Sequence, residues 1–329
     1  TTLAASRGAG GPAIGRSVPC RLHHRALFQG LAPLEAPLPP RSPPALASPE
    51  RRLTGEELQA FNRDGYVIRR GLFTAEEAAA LRDVVFLDQE VTKQAHAVLD
   101  ASGKKSKLSI WNLPGRNIYG AMARCARMVD NVERILGDEC YHYHSKVMMK
   151  EPKVGGAWEW HQDYGYWYGN GNPSPNMCSA MVAINPNTEA NGCLKVLKGS
   201  HHMGRVDHGA VGGQAGAEPD RIKWALDNFE VVPAVLAPGD TLFFHCNTFH
   251  ASGANLSDTP RWSLIFCFNA KSNSSLRPHH HPQYAPLERW PDEDVLGYKG
   301  VGYSPEDGTV FMDPEEDHSA GVEKKRGAA

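Results

Sequence analysis

Apolar residues recur at helical spacing in three segments of the first part of the chain. The first predicted helix begins at Thr54 and runs to about Asp64, and the second begins at Thr74 and continues through Val85. Each threonine is followed three residues later by a glutamate, the pattern of a capping box that satisfies free amides at a helix start. A third helical pattern covers residues 119–136. The first and third patterns are followed by the expected C-cap glycines, Gly65 and Gly137.

The second part of the chain has the pattern of short strands. A short apolar segment already follows the first helix at 66–68, and from Tyr141 onward such segments alternate with Gly, Pro and Asn. The turn signal at 238–240 precedes the apolar segment 241–245, and segment 261–268 is apolar on both faces, as in a buried strand. The pattern therefore predicts a mainly β fold with flanking α-helices, built as a sandwich or barrel of short strands.

Composition narrows the class of protein. The chain has 329 residues, 41% of them apolar, and a net charge of -2, which gives no electrostatic reason to expect nucleic acid or an anionic membrane as partner. Seven scattered cysteines form no Cys-x-x-Cys motif, which favours a reduced, intracellular protein. No apolar run approaches the roughly 18 residues of a membrane span. One β-rich domain is favoured over two, with small-molecule chemistry.

The ends of the chain differ from its centre. Residues 1–34 contain four arginines but no Asp or Glu, which is typical of an organellar transit peptide, and a disordered extension explains them equally well. Prolines crowd the residues up to 49, so we exclude residues 1–52 from the fold and expect a cytoplasmic or organellar location. The domain is predicted at 53–275. Residues 276–329 are expected to pack on it as an extended segment that ends in a disordered tail.

The chain carries a candidate metal-binding motif. His161 and Asp163 are two residues apart, so on an extended strand both side chains point to the same face. A distant histidine, His250, would complete the two-histidine, one-carboxylate set of non-haem Fe(II) oxygenases, which leaves positions open for a co-substrate and dioxygen. The run 279–281 is also histidine, but adjacent residues of an extended segment face opposite sides, which disfavours a metal site there.

Arg261 stands at the beginning of the buried strand 261–268. A guanidinium in a dry site needs a partner, because an unpaired buried charge is costly. The carboxylate of a small co-substrate would serve, held by two parallel charge-assisted hydrogen bonds.

These residues and their surroundings resemble the phytanoyl-CoA dioxygenase family of Fe(II)/2-oxoglutarate oxygenases. The similarity extends from residue 54 to about 290. Its motifs, in chain order, are Asp64-Gly65-Tyr66-Val67, Lys146-Val147-Met148-Met149-Lys150, Trp160-His161-Gln162-Asp163, Asn191-Gly192-Cys193-Leu194, Gly199-Ser200-His201, and Gly239-Asp240 leading to Arg261. The resemblance implies a double-stranded β-helix, the cupin-like jelly roll of that family.

The resemblance also implies site residues. Iron would be held by His161, Asp163 and His250, and the distal carboxylate of 2-oxoglutarate by Arg261 with the hydroxyl of Ser252. Cofactor-lining side chains would be Met181, Lys146 and Met148.

The implied reaction is hydroxylation of a small molecule with O2, while 2-oxoglutarate is decarboxylated to succinate and CO2 and ascorbate acts as a supporting reductant. Two alternatives remain open on the sequence. One is a non-catalytic jelly-roll protein that binds metal for structure or sensing, and the other is a cupin-like metalloenzyme without a 2-oxo acid. The substrate itself is not specified by these residues.

Overall fold

Thirteen β-strands and eight α-helices lie in the part of the chain that the computed structural model describes, residues 47–211 and 213–312. The helices are α1 (Gly55–Asp64), α2 (Ala75–Leu87), α3 (Gln89–Lys93), α4 (Ile118–Arg124), α5 (Ala126–Leu136), α6 (Asp163–Trp167), α7 (Pro219–Asn228) and α8 (Asp294–Gly297). The strands are β1 (Tyr66–Arg69), β2 (His96–Leu99), β3 (Lys105–Trp111), β4 (Cys140–Lys150), β5 (Trp158–His161), β6 (Met177–Ala183), β7 (Leu194–Leu197), β8 (His208–Val211), β9 (Gln214–Ala217), β10 (Val231–Pro233), β11 (Thr241–His245), β12 (His250–Ser252) and β13 (Arg261–Ala270).

The strands form two principal antiparallel sheets. The major sheet has the order β1-β11-β6-β13-β4-β3-β2, and the minor sheet has the order β10-β7-β12-β5. Strands β8 and β9 make a separate hairpin. Neighbours within each sheet are mostly distant in sequence, which is how a jelly roll differs from a simple meander. The predicted mainly β, jelly-roll class is confirmed.

The core is layered around these sheets. One apolar cluster lies between the major sheet and its covering helices, and a second contains inward-facing residues of both sheets. Strand β13 contributes to both, because successive strand residues face opposite sides. Leu264 and Phe266 join the helix-side cluster, whereas Ile265 and Cys267 face the interior between the sheets. The prediction of a strand buried on both faces is therefore confirmed, and its inward side belongs to the interior that the metal-site residues border.

Local capping sets the starts of the first two long helices. The Thr54 hydroxyl accepts a hydrogen bond from Glu57 N at 3.1 Å, and the Glu57 carboxylate accepts one from Thr54 N at 2.7 Å. The same reciprocal pair joins Thr74 and Glu77 at 3.2 and 2.8 Å. Gly65 ends α1 with φ of 80°, a conformation that suits a residue without Cβ. Both predicted capping boxes are confirmed.

The prediction of one continuous third helix was wrong. The segment is divided into α4 and α5 at Cys125, whose ψ of 147° is not helical. The backbone of Trp290 causes the division, since its N–H donates to Arg124 O at 2.9 Å and its carbonyl accepts from Ala126 N at 2.9 Å. A residue from the C-terminal segment thus takes up two groups that a continuous helix would use internally. Apolar periodicity alone does not register such a competitor.

The packed chain begins a few residues before the predicted boundary. Ala47 N donates to the Asp130 carboxylate at 2.9 Å, and Leu53 N donates to Asn131 Oδ1 at 2.7 Å. Arg52 makes an ion pair with Asp130 at 3.2 Å. The expectations for residues 1–46 and for the tail after 312 lie outside the described residues. Among the described residues, no helix is both long enough and apolar enough to cross a membrane.

The C-terminal segment is expected to stabilise the domain through Trp290. Its side chain is buried, stacks on Tyr298 at a centroid distance of 5.2 Å and lies 4.6 Å from the Arg124 guanidinium. Trp290→Ala should lower the free energy of unfolding by about 3 kcal/mol, since a large buried side chain leaves a cavity. Urea unfolding followed by circular dichroism measures this. Trp224, which is half exposed, provides the matched control, and Trp224→Ala should change little. Equal losses in the two variants would contradict the prediction.

Candidate metal centre

Three predicted ligand residues meet at the end of the minor sheet. His161 is the last residue of β5 and His250 the first of β12, and the two are direct partners across these antiparallel strands. Asp163 is separated from the end of β5 by one residue, Gln162. Asp163 Oδ1 lies 3.9 Å from His161 Nε2 and 3.8 Å from His250 Nε2. All three residues are buried. Their potential ligand atoms lie within 4.8 Å of one another, and no other group of three such side chains meets this condition in the described ranges.

The predicted strand geometry of this motif was wrong at Asp163. Strand β5 ends at His161, and Asp163 is the first residue of the short helix α6. The linking residue Gln162 is still extended, with φ of -113° and ψ of 136°, so the two side chains turn to the same side. The two side chains therefore share a direction, as alternation predicted, although the strand is shorter than predicted.

The link between the two ligands is held by buried hydrogen bonds. The Gln162 side chain donates to Gly204 O and Asn247 O, each at 2.8 Å, and accepts from Val206 N at 2.8 Å. Its backbone N–H donates to His208 Nε2 at 2.8 Å. Since each polar atom of the amide has a partner, the loop between the ligands has little freedom to move.

Backbone carbonyls orient both imidazoles. His161 Nδ1 lies 2.7 Å from Glu159 O, and His250 Nδ1 lies 3.0 Å from Thr248 O. A carbonyl only accepts, so the proton is on Nδ1 in each ring and the Nε2 lone pair points toward Asp163. Burial lowers the pKa of both histidines, which keeps the rings neutral. Neutral imidazoles with free Nε2 atoms are the form that binds metal.

The Asp163 carboxylate is oriented and ionised. Its Oδ1 accepts from the Tyr166 hydroxyl and its Oδ2 from the Ser179 hydroxyl, both at 2.9 Å. Burial by itself would raise the pKa of this carboxyl, but the pKa lies below its usual value, chiefly because of the positive charge of Lys146, with a further contribution from the Tyr166 hydrogen bond. A buried anion beside two neutral Nε2 atoms fits a divalent cation such as Fe(II).

Two basic side chains, Arg261 and Lys150, are buried in the same domain. Arg261 and Lys150 are opposite each other on β13 and β4. Burial lowers the pKa of Arg261 to about 10, and its Nε has no hydrogen-bond partner in the described chain. Burial and then the charge of Arg261 lower the pKa of Lys150 well below its usual value. In the described ranges neither residue forms a salt bridge, so an acceptor with negative charge would satisfy them.

Ser252 connects these cations to the metal ligands. It ends β12, two residues after His250, and its hydroxyl accepts a hydrogen bond from Lys150 Nζ at 2.7 Å. Lys150 Nζ also donates to Gly253 O at 2.5 Å. Lys150 thus joins Ser252 and Arg261, the two residues predicted to bind the distal carboxylate, although the sequence analysis assigned Lys150 no role. The sequence could have predicted the direction of this side chain, because Lys150 continues the alternation of Lys146 and Met148 on one face of β4.

The remaining predicted side chains line the interior between the sheets. Met148 and Met181 are buried in the apolar cluster that faces it, together with Leu108 and Ile265. Lys146 is half buried, and its charge acts on Asp163. Ser179 and Tyr166, which orient the carboxylate, were missed. Tyr166 is near Asp163 in sequence, but nothing in the sequence marks Ser179, which reaches the site across the sheet.

Comparisons with known proteins agree with this geometry. The family model for phytanoyl-CoA dioxygenase (PhyH) matches residues 61–263. The ectoine dioxygenase of Bordetella parapertussis is 29% identical over 244 residues, covering 69% of this chain and 79% of that protein. The L-proline trans-4-hydroxylase of Streptomyces griseoviridis is 29% identical over 181 residues, covering 50% and 68%. A crystal structure of EctD from S. alaskensis with bound Fe superposes with a TM-score of 0.61 at 25% identity, covering 77% and 94%.

Proposed function

The chain belongs to the phytanoyl-CoA dioxygenase (PhyH) family, and from that membership we propose how its residues divide the work of an Fe(II)- and 2-oxoglutarate-dependent dioxygenase. The protein is an enzyme of this class that hydroxylates a small molecule. We assign Fe(II) binding to His161, Asp163 and His250. The observation that carries the assignment is the convergence of two neutral Nε2 atoms on one ionised carboxylate in a buried site.

Bound Fe(II) supplies the oxidising chemistry, in which O2 converts 2-oxoglutarate to succinate and CO2 and the substrate is hydroxylated. The protein's own contribution is orientation and exclusion of water. Glu159 O and Thr248 O fix the imidazoles, and Tyr166 and Ser179 fix the carboxylate. The apolar interior around Met148 and Met181 keeps bulk water from the reacting groups.

We assign the distal carboxylate of 2-oxoglutarate to Arg261 and Ser252. Arg261 is a buried guanidinium that no described carboxylate neutralises, and a guanidinium can hold a carboxylate through two parallel hydrogen bonds. We place Met148, Met181 and Lys146 beside the bound co-substrate, because the two methionines belong to the apolar cluster between the sheets and the charge of Lys146 acts on Asp163. A metal site with a structural or sensing role would not require a buried arginine that no described carboxylate neutralises. This arginine therefore disfavours the non-catalytic alternative.

Lys150 is a positioning residue in this proposal. Its ammonium donates to the Ser252 hydroxyl at 2.7 Å, so that hydroxyl keeps its own proton free to donate toward a bound carboxylate. Because Lys150 is opposite Arg261 on the neighbouring strand, its ammonium would also add positive charge beside the bound carboxylate. Lys150→Met should weaken 2-oxoglutarate binding by about tenfold, equivalent to about 1.4 kcal/mol, with Fe(II) affinity unchanged.

The matched control is Lys153→Met. Lys153 lies three residues later, is exposed and pairs with Asp258 at 3.0 Å. Anaerobic titration of the Fe(II) protein with 2-oxoglutarate, followed by the charge-transfer absorbance, measures both variants. Equal affinity in Lys150→Met and the unmodified protein would remove Lys150 from the site.

The assigned function is tested with the unmodified protein. Anaerobic Fe(II) followed by 2-oxoglutarate should produce the charge-transfer band of a chelated 2-oxo acid, and admission of O2 should release succinate. Metabolite pools can then be screened for compounds that stimulate succinate formation. Failure to bind either Fe(II) or 2-oxoglutarate would refute the assignment.

A further inference from the structure

Two stacked histidines border the interior between the sheets, and the proposed function gives neither of them a role. His144 lies on β4 and His281 on the C-terminal segment, and their ring centroids are 4.9 Å apart. His281 also stacks on Tyr143 at 4.3 Å, and His144 meets Trp167 edge-on at 5.5 Å. Both histidines are almost fully buried, with 2% and 4% of their surface exposed. We call His144 and His281 the histidine pair.

The histidine pair is connected to the metal ligands through the major sheet. His144 is opposite Cys267, and Cys267 is opposite Ser179 on the next strand. The Ser179 hydroxyl lies 3.4 Å from Cys267 Sγ and donates to Asp163 Oδ2 at 2.9 Å. His144 and Lys146 are two residues apart in a regular part of β4, so both side chains face the same interior as the ligands. The irregularity in the pairing with Cys267 and Phe268 comes before His144 on β4 and places His142 on the opposite face, against Phe268.

The C-terminal segment is fastened where it brings His281 into place. The Ser275 hydroxyl donates to Asn170 O at 2.7 Å, and Gln283 Nε2 donates to Ser275 O at 2.9 Å. Tyr284 N donates to the Ser274 hydroxyl at 3.0 Å. His281 is thus held between anchored residues on both sides, which is the rigidity that a binding group requires.

Three ring nitrogens of the pair are buried without a hydrogen bond in the described chain. They are His144 Nδ1, His144 Nε2 and His281 Nδ1. His208, also close to the site, shows the usual condition, since its Nδ1 lies 2.7 Å from Val206 O and its Nε2 accepts from Gln162 N. Buried polar groups in proteins nearly always have partners. The unpartnered nitrogens on these two facing rings therefore need partners that the described chain does not supply.

The charges around the pair select the kind of acceptor. Burial first, and then the charge of Lys146 among other groups, lowers the pKa of His144, and burial and the neighbouring histidines with Lys146 lower that of His281. Each ring is therefore neutral and offers one N–H donor. The nearby ammonium of Lys146 makes no hydrogen bond or salt bridge in the described residues. Two donors beside a cation match the two oxygens of one carboxylate.

Given the function proposed above, we propose that the histidine pair is a substrate subsite and that the substrate is a carboxylic acid. One N–H from His144 and one from His281 hydrogen-bond to its carboxylate, with Lys146 supplying the opposite charge. Trp167 and Tyr143 cover the adjoining apolar part of the substrate. The C-terminal segment thereby takes part in substrate selection as well as in stability.

The test compares acids with their uncharged amides. The anaerobic Fe(II) enzyme, saturated with 2-oxoglutarate, is titrated calorimetrically with ectoine, L-proline and a set of short-chain, cyclic and aromatic carboxylic acids, and with carboxamides such as L-prolinamide. We expect members of the acid set to bind, and their amides to bind at least about tenfold more weakly, since an amide lacks the charge. No binding by any acid, or equal binding of acids and amides, would overturn the proposal.

Variants locate the effect. His144→Phe and His281→Phe keep a stacking ring but remove both nitrogens, and should each weaken acid binding by about tenfold or more. His144→Gln and His281→Gln retain an N–H donor and should keep part of the affinity. His142→Phe is the matched control, because His142 is buried on the same strand but packs against Phe268 on the helix side. Thermal unfolding verifies that each variant is folded.

Two further outcomes are decisive. Unchanged acid binding in both phenylalanine variants would mean that buried water satisfies the ring nitrogens, and the subsite would be refuted. The 2-oxoglutarate charge-transfer band is recorded in every variant beforehand. Its absence in the unmodified protein would contradict the proposed function, whereas its presence without a preference for acids would contradict the subsite alone.

Discussion

Replacing Asp163 by alanine is expected to abolish Fe(II) binding and with it 2-oxoglutarate turnover. The substitution removes the one anion among the three ligand groups and leaves two neutral imidazoles 4.1 Å apart between ring centroids. Loss of a residue that only orients a ligand typically costs 10- to 100-fold in metal affinity, so loss of the ligand itself should exceed about 100-fold. His161→Ala and His250→Ala should behave in the same way. Anaerobic equilibrium dialysis against Fe(II) measures the affinities.

A graded series separates ligation from folding. Tyr166→Phe removes a hydrogen bond to Asp163 Oδ1 but no ligand, so Fe(II) affinity should fall by only about tenfold. Asp240→Ala is the control for a buried carboxylate elsewhere, because Asp240 accepts from Gly71 N and Ala237 N in a turn. That variant should unfold at a lower temperature while its folded form keeps full Fe(II) affinity. If Asp163→Ala bound Fe(II) as tightly as Asp240→Ala, the ligand assignment would be wrong.

Replacing Arg261 by alanine is expected to weaken 2-oxoglutarate binding by tens to thousands of fold. Truncating one partner of a buried charge pair costs about 2–5 kcal/mol, and each 1.4 kcal/mol is about a factor of ten. Fe(II) affinity should barely change, because Arg261 contributes none of the three converging ligand atoms. The charge-transfer absorbance of the anaerobic Fe(II) protein, titrated with 2-oxoglutarate, separates the two effects.

A ligand control makes this test specific. The analogue 2-oxobutyrate has the same chelating end but no distal carboxylate, so its affinity should be nearly the same in Arg261→Ala and the unmodified protein. Arg261→Lys should restore only part of the 2-oxoglutarate affinity, since an ammonium cannot present a planar fork. Unmodified affinity for 2-oxoglutarate in Arg261→Ala would show that another cation, Lys150 or Lys146, holds the distal carboxylate.

The parts of the fold that were predictable are those decided by near neighbours in sequence. The reciprocal bonds of Thr54 with Glu57, and of Thr74 with Glu77, form within one helical turn and need no distant partner. The convergence of His161 and Asp163 was predictable for the same reason, because one extended residue between them sets their relative direction. His250 and Arg261 were proposed from their residue types and surroundings, and the family resemblance added Ser252, but no local rule connects these three residues to the motif.

Other features depended on segments that approach from far along the chain. The break between α4 and α5 arises because Trp290 bonds to the backbone at Arg124 and Ala126. Ser179 reaches Asp163 from a strand of the other sheet. Lys150 Nζ lies 2.7 Å from the Ser252 hydroxyl, although the two residues are 102 positions apart in sequence. Each of these contacts was invisible to patterns with a range of a few residues.

The sequence by itself determined the class of fold, the main helix starts and the metal-ligand motif, because capping, alternation and apolar periodicity act over a few residues. Only the tertiary structure decided which buried polar groups lack partners. Among residues 47–211 and 213–312 it showed no counter-ion for Arg261, and it showed His144 and His281 stacked with ring nitrogens that no described residue bonds. The physical reason is that the cost of an unpaired buried group depends on every residue packed around it, and that set is assembled from strands and segments that meet only when the chain folds.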